Sequence, residues 1–99
     1  MAKIKTTPFD AADYLKTPED IAAYLEVAFE ESGDDSAAIA RALGTIARAK
    51  GMTKVARDAG LSRESLYKAL SGDRSPEFQT ILDVVRALGL KLTAEVSRS

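Results

Sequence analysis

The sequence predicts an all-α domain that ends in one short β-strand. Apolar residues recur at intervals of three and four positions through most of the chain, which is the spacing of an amphipathic helix. Residues that favour helix starts alternate with glycines that favour helix ends. Strict alternation of apolar and polar side chains, the pattern of a strand, is confined to residues 90–96. A chain of 99 residues is large enough for one core and one domain.

The other elements are organised around residues 52–71, where two short helical stretches are broken at residues 59–62. Gly60 lies at the break, where the backbone conformation of a sharp turn costs glycine least. Ser62 follows as the N-cap of the second stretch. Two such helices form a helix-turn-helix when they cross over a small apolar contact. The apolar positions required for this crossing are filled by Val55, Ala56, Ala59, Leu61, Leu66 and Ala69.

The second helix of this unit leaves a set of hydrogen-bonding side chains facing outward: Arg63, Glu64, Tyr67 and Lys68. This composition is typical of a recognition helix whose N-terminal end faces base edges in the major groove. The alternative is an ordinary helical hairpin whose polar face meets only water. Because seven positions in one window agree with the first interpretation, the pattern favours a DNA-binding unit.

A loose arm, a helical turn and a long helix are predicted before this unit. Residues 1–9 are expected to form the arm, and residues 10–15 one turn of helix. Thr17 as N-cap and Pro18 at the first helical position mark the start of the long helix, and Gly33 marks its end. Its apolar face is predicted to consist of Ile21, Leu25, Ala28 and Phe29.

A second long helix is predicted from Ser36 to Lys50, with Gly51 as its stop. The acids before it, Asp34 and Asp35, have the residue type of catalytic carboxylates or metal ligands. No third acid follows at ligand spacing, so these two residues are interpreted as helix caps.

After the helix-turn-helix, Ser75 is expected to cap a last helix that starts at Pro76 and closes at Gly89. Its core face is predicted to consist of Phe78, Ile81, Leu82, Val85 and Leu88.

The predicted strand over residues 90–96 needs a partner, because a lone strand leaves its backbone groups unpaired. Our hypothesis is that it pairs with the same strand of a second copy to form a homodimer. A strand added to the sheet of another protein and a frayed tail are the alternatives. The apolar side chains of the dimer strand are Leu90, Leu92, Ala94 and Val96.

Charge is distributed unevenly along the chain. Residues 1–40 carry three lysines against nine acids, a balance of −6. Residues 41–99 carry eleven lysines and arginines against six acids, a balance of +5, and the whole chain has a net charge of −1. Contacts to phosphate need cations, so the second part is suited to DNA and the first part to a basic partner.

Composition excludes several other classes of function. The chain has no cysteine and no histidine, so neither a disulfide framework nor a metal centre is expected, and no cofactor is predicted. No glycine-rich phosphate loop or nucleophile elbow is present, and we do not expect an enzyme. No apolar run approaches the ~20 residues that span a bilayer. The N-terminal residues lack an apolar signal region, and we expect a cytoplasmic protein.

Residues 36–89 resemble the Cro/repressor-type (XRE-like) helix-turn-helix domain, which implies a five-helix, lambda-repressor-like fold. The stretch 70–76, LSGDRSP, is similar to the turn before that family's fourth helix. Many repressors of the family have glutamine at the first position of the second helix, to hold a phosphate, whereas this chain has Thr53. More narrowly, nearly the whole chain resembles the addiction-module antidote proteins, HigA-like antitoxins of type II toxin–antitoxin pairs. The segments that carry this resemblance are FDAADYL (9–15), IAAYL (21–25), ALGTIARAKGM (42–52) and LSRESLYKAL (61–70).

The resemblance implies an antitoxin that binds and neutralises a RelE/HigB-like toxin, typically a basic ribosome-dependent ribonuclease encoded beside it. It also implies repression of its own operon through a double-stranded DNA operator. Residues 1–35 would form an acidic helical extension for toxin binding, residues 36–89 the DNA-binding domain, and residues 90–99 a strand and tail for dimerisation, all in one compact unit. A plain phage- or bacterial-type repressor without a toxin is the alternative, and only the acidic segment separates the two.

The first candidates for DNA contact are Arg63, which can bind guanine through two hydrogen bonds, and Lys68. Glu64 either accepts a hydrogen bond from cytosine or only favours the helix N-terminus. Tyr67 either contacts phosphate or a thymine methyl group, or packs at the domain edge. Contacts to the DNA backbone are expected from Thr53, Lys54, Ser62 and Arg74, with a solvated surface as the alternative for Lys54.

The candidate toxin surface lies within residues 9–35 and combines aromatic side chains with carboxylates. The alternative is that the aromatic side chains belong to the core and the acids only keep the protein soluble. The candidate residues are Tyr14, Glu19, Asp20, Tyr24, Glu26, Phe29, Glu30 and Glu31.

Overall fold

Five α-helices form the framework of the molecule. The computed structural model describes residues 10–97, and within them all regular structure is helical. The predicted arm over residues 1–9 lies outside this range. A one-turn 3-10 helix, Ala11–Tyr14, comes first. It is followed by α1 (Pro18–Ser32), α2 (Ser36–Lys50), α3 (Met52–Asp58), α4 (Arg63–Ala69) and α5 (Phe78–Ala87).

The first turn of α1 is closed by a reciprocal pair of hydrogen bonds. The hydroxyl oxygen of Thr17 accepts from the backbone N–H of Asp20 at 3.0 Å. The carboxylate of Asp20 accepts in return from the backbone N–H of Thr17 at 3.2 Å. Pro18 occupies the first helical position, where its missing N–H would have no intrahelical partner. The predicted helix start is therefore confirmed.

Replacing Thr17 with alanine removes this capping box, so we expect the free energy of unfolding to fall by about 1 kcal/mol. Urea denaturation followed by circular dichroism measures the change. Thr93→Ala, in the exposed segment after α5, is the matched control and should stay within about 0.5 kcal/mol of the parent protein. Equal losses in the two variants would contradict a capping role for Thr17.

Helix α2 lies at the centre of the fold and packs against α1, α3, α5 and the 3-10 helix. The side chain of Asp35 caps it by accepting from the backbone N–H groups of Ala37 and Ala38, at 3.1 and 3.2 Å. This confirms the capping interpretation of Asp35. Nearly half of the helix is buried against its neighbours: Ile39, Ala40, Ala42, Leu43, Gly44, Ile46 and Ala47.

Helices α3 and α4 form the predicted pair of short helices with a sharp turn between them. Gly60 has a φ of +75°, a conformation that costs other residues a steric penalty. The hydroxyl oxygen of Ser62 accepts from the backbone N–H of Ser65 at 3.0 Å and so caps α4, as predicted. Val55, Ala56 and Leu66 are buried in the core. The other predicted contact positions, Ala59, Leu61 and Ala69, pack against the core and are partly buried.

Aliphatic side chains from all five α-helices form one core. Within residues 10–97, no polar or charged residue is fully buried. Gly44 of α2 lies close to the end of α4. A Cβ atom built at this position would stand 3.1 Å from the carbonyl oxygen of Leu70. The largest fully buried side chains are Leu43, Ile46, Val55, Leu66 and Val84.

The predicted start of the last helix is wrong. Helix α5 begins at Phe78 with Glu77 in the N-cap position, two residues later than the expected start at Pro76. The hydroxyl oxygen of Ser75 lies 2.6 Å from that of Ser36, so Ser75 forms a hydrogen bond to the start of α2 and does not cap α5. The loop before α5 is therefore held by a tertiary contact.

The predicted core face of α5 is also wrong at one position. Phe78 is 68% exposed. It is the first residue of α5, one turn before Ile81, and at this end of the helix it lies beyond the edge of the core. Val84, which was not predicted, is completely buried beside Val85. Ile81 and Leu82 are partly buried, and Leu88 is buried as predicted.

The predicted C-terminal strand is not present within residues 10–97. Leu90 follows α5 and is partly buried, its backbone N–H donating to the carbonyl oxygen of Val85 at 3.1 Å. Leu92, Ala94 and Val96 are exposed. Alternation of side chains gives a segment two different faces, but a strand also needs a neighbour for its backbone hydrogen bonds. The described part of one chain contains no such neighbour.

Candidate nucleic-acid interface

The residues predicted to contact DNA lie at the surface formed by α3, α4 and the loop after α4. All eight are exposed: Thr53, Lys54, Ser62, Arg63, Glu64, Tyr67, Lys68 and Arg74.

Leu66 determines which side of α4 faces outward. It is the buried residue of this seven-residue helix and is completely inaccessible to solvent. At 100° per residue, Glu64 and Lys68 lie about 160° away from Leu66 around the helix axis. Arg63 and Tyr67 are four residues apart and lie together on one flank. The predicted polar face is therefore a consequence of anchoring α4 through Leu66.

Arg63 and Tyr67 are in contact on this flank. The guanidinium carbon of Arg63 lies 5.1 Å from the centroid of the Tyr67 ring. A cation–π contact at an exposed site contributes about 0.5–1 kcal/mol. It restricts the long arginine side chain at the N-terminal end of α4, where Arg63 is the first helical residue. The guanidinium of Arg63 can donate two parallel hydrogen bonds to a planar acceptor.

An acidic residue on α3 engages two neighbouring cations. A carboxylate oxygen of Asp58 lies 3.1 Å from Nζ of Lys54, and the other lies 3.7 Å from Nε of Arg57. The hydrogen bond from Lys54 is the main cause that lowers the pKa of Asp58 below its ordinary value. Lys54 therefore has a competing partner on its own helix. Arg57 was not among the predicted contacts, although its spacing of three residues from Lys54 places both on one helix face.

Two predicted cations from different elements line the same cleft. Lys68 belongs to α4 and Arg74 to the loop after it, and both line a cleft that Thr80 of α5 also lines. Ser65 adds a hydroxyl group and Glu77 a carboxylate to the lining. Two cations and hydroxyl groups at one cleft can hold an anionic group such as a phosphate.

The predicted toxin residues are divided between structural and exposed positions. The carboxylate of Asp20 accepts two backbone hydrogen bonds at the start of α1. Tyr24 is partly buried against the core. The other six are exposed: Tyr14, Glu19, Glu26, Phe29, Glu30 and Glu31.

In residues 10–97, no three acidic side chains come together in a way that could hold a metal ion. None of the helices in this range has the length and apolarity needed to cross a membrane.

Comparison with known proteins identifies the family to which this chain belongs. Residues 5–96 match the model of a family described as "Probable addiction module antidote protein". An uncharacterized protein of Haemophilus influenzae is 48% identical over 90 residues, which cover 91% of each chain. No solved structure matches at a significant level. Since the family match extends over almost the entire sequence, the chain belongs to the family of addiction module antidote proteins.

Proposed function

We propose that this protein is an antitoxin that neutralises a RelE/HigB-like toxin by direct binding and represses its own operon by sequence-specific DNA binding. The observation that carries the DNA-binding part is the outward face of α4. Leu66 anchors the helix, and hydrogen-bonding side chains occupy the exposed positions around it, with Arg63 stacked on Tyr67. In this proposal α3 and α4 act as a helix-turn-helix of the lambda-repressor type.

The proposed contacts are of two kinds. Arg63 reads a base edge in the major groove, because a guanidinium can donate two parallel hydrogen bonds to guanine. Lys68 and Arg74, which line one cleft, contact the phosphate backbone and fix the position of α4 in the groove. A homodimer would bind two half-sites about 34 Å apart, as two-fold helix-turn-helix proteins do.

Charge and family together support the toxin-binding part. An addiction-module antidote implies a toxin partner. Residues 1–40 have a charge balance of −6, and most acids of α1 are exposed. An acidic surface of this kind repels DNA and attracts a basic protein, such as one that binds RNA. We therefore propose that the toxin-binding surface lies mainly within residues 1–35 and that residues 36–89 bind DNA through α3, α4 and the loop after α4.

Two measurements on the full chain test this proposal. The tagged protein is expressed with its flanking genes, purified under native conditions and examined by mass spectrometry for stoichiometric partners. Separately, fluorescence anisotropy compares binding to the DNA upstream of its gene with binding to a scrambled duplex. We expect a basic partner encoded next door and preference for the upstream DNA. DNA preference without a protein partner would support the plain repressor, and loss of both would refute the proposal.

The pair between Lys54 and Asp58 makes a smaller prediction about the same interface. Asp58→Asn removes a negative charge from the DNA-facing helices and releases Lys54 for a phosphate. We expect affinity for any duplex to rise about threefold. Asp83→Asn removes the same charge from α5, where Asp83 pairs with Arg86, and serves as the control.

The pH dependence of this effect follows from the lowered pKa of Asp58. A carboxylate with a lowered pKa remains ionised until the pH falls below its ordinary range, so the pair with Lys54 stays intact at neutral pH. DNA affinity of the parent protein should therefore show no step from Asp58 near pH 7.

For the two charge-removing variants, a gain in DNA affinity for Asp83→Asn equal to that for Asp58→Asn would contradict the specific role of Asp58.

A further inference from the structure

An open groove lies between α1 and the segment after α5. Its floor includes Leu25 and Ile39, which belong to the core. Its sides are formed by α1, by the start of α5 and by residues 90–93 and 95, and its volume is about 800 Å³. We call this space the α1–tail groove.

Large apolar side chains are concentrated around the α1–tail groove. Phe78 is 68% exposed, and Phe29 and Leu92 are each 39% exposed. These three residues all line the groove, and they are three of the seven large apolar or aromatic side chains exposed within residues 10–97. A cluster of exposed apolar groups at a concave surface is typical of an interaction site.

The groove is also strongly acidic. Four of its lining residues are acids, Glu26, Glu30, Asp34 and Glu95, whereas Lys91 is the one lining cation among the described residues, giving a local balance of −3. Within residues 10–97, none of these four carboxylates forms a salt bridge. The groove therefore combines an apolar floor with unneutralised negative charge at its edge.

We propose that the α1–tail groove is the site at which the toxin binds, through a basic amphipathic segment. This inference rests on the proposed antitoxin function and specifies where binding takes place. An apolar face on the toxin segment would contact Phe29, Phe78 and Leu92, and lysine or arginine side chains beside it would meet the four carboxylates. The groove follows α1 from Ala22 to Gly33, about 16 Å, which is the length of three helical turns.

Charge argues against a second copy of this chain as the occupant. Two copies joined through this groove would bring two surfaces with a balance of −3 into contact. Like charges placed opposite each other disfavour association. A basic partner removes that repulsion and gains attraction instead.

The proposal differs from the sequence-based toxin surface in ways that can be measured. It keeps Glu26, Phe29 and Glu30, and it adds Phe78 and Leu92 from the other end of the chain. Tyr14, Glu19 and Glu31 do not line the groove. Binding should therefore depend on two residues far from α1 in sequence and should tolerate loss of acids elsewhere on α1.

The test uses the full chain and, as the probe, the purified protein encoded by the adjacent gene. Isothermal titration calorimetry should show binding about 100-fold weaker for Phe78→Ala, the loss typical of an aromatic residue at the centre of an interface. Val27→Ala removes an exposed apolar side chain of α1 outside the groove, and it should change affinity less than about threefold.

A second pair of variants tests the charge of the groove. Glu26→Gln combined with Glu30→Gln should weaken binding about tenfold at low salt, and this difference should shrink as salt rises. Glu19→Gln combined with Glu31→Gln makes the same change in charge on α1 outside the groove and should have a much smaller effect. Unchanged DNA affinity and thermal unfolding would show that each variant is folded.

The outcomes distinguish failure of the antitoxin function from failure of the groove assignment alone. If the wild-type chain does not bind the neighbouring protein, both the antitoxin function and the assigned occupant are wrong. If it binds and neither Phe78→Ala nor the Glu26/Glu30 double variant differs from its control, only the groove assignment fails. A wild-type dimer that Phe78→Ala converts to a monomer in sedimentation would assign the groove to a second copy and overturn the proposal.

Discussion

Replacing Leu66 with alanine should lower the free energy of unfolding by about 2–5 kcal/mol, the cost of deleting a large aliphatic side chain from a closed core. Leu66 is completely buried, and it is the buried residue through which α4 is anchored to the core. A helix of seven residues has no stability of its own in water. Because small domains are stable by only about 5–15 kcal/mol, this loss would remove a large part of the total.

Urea denaturation measures the loss, and Leu92→Ala supplies the control. Leu92 is the same residue type but 39% exposed after α5, so its replacement should cost less than about 1 kcal/mol. DNA affinity should fall in parallel for Leu66→Ala, since α4 would no longer be held in position. Similar stability of the two variants would show that α4 is not anchored through Leu66.

The helix starts that could be predicted from the sequence are those that depend on near neighbours. The caps formed by Thr17, Asp35 and Ser62 each involve a backbone N–H within three residues. A short side chain at an N-cap reaches these donors independently of the tertiary contacts of the fold. The pattern of residue types therefore determined where these three helices begin.

The features that could not be predicted depend on distant or external partners. Ser75 has the residue type of an N-cap, but its hydroxyl forms a hydrogen bond with Ser36, which is 39 residues away in sequence. Residues 90–96 have the alternation of a strand, but no strand for them to pair with exists within residues 10–97. Local patterns do not contain this information, so α5 starts later than expected and the strand is not formed.

In the candidate DNA interface, too, some features could be predicted from the local sequence and others could not. Once Leu66 is recognised as the inward residue, helical geometry gives the outward positions of α4. The stacking of Arg63 on Tyr67 and the engagement of Lys54 by Asp58 depend on side-chain rotamers, which the sequence pattern does not specify. The α1–tail groove was missed because Phe29, Phe78 and Leu92 come together only in the folded chain.

Arg63 and Lys68 should contribute to DNA binding in measurably different ways. We expect Arg63→Ala to cost about 1–3 kcal/mol on the upstream operator and much less on a scrambled duplex, because a lost base contact reduces discrimination. Lys68 shares its cleft with Arg74 and is assigned to a phosphate. We therefore expect Lys68→Ala to weaken binding equally on both duplexes and to reduce the slope of log K against log salt by about one.

Fluorescence anisotropy titrations of both duplexes over a series of salt concentrations measure the two effects together. Lys16→Ala is the control for charge, since Lys16 is exposed before α1 in the acidic part of the chain, and it should leave both slopes unchanged. Equal losses on the two duplexes for Arg63→Ala would remove its assignment as the base-reading residue. The result also tests how α4 docks on DNA, because a base contact from the first residue of α4 requires the N-terminal end of that helix to enter the major groove.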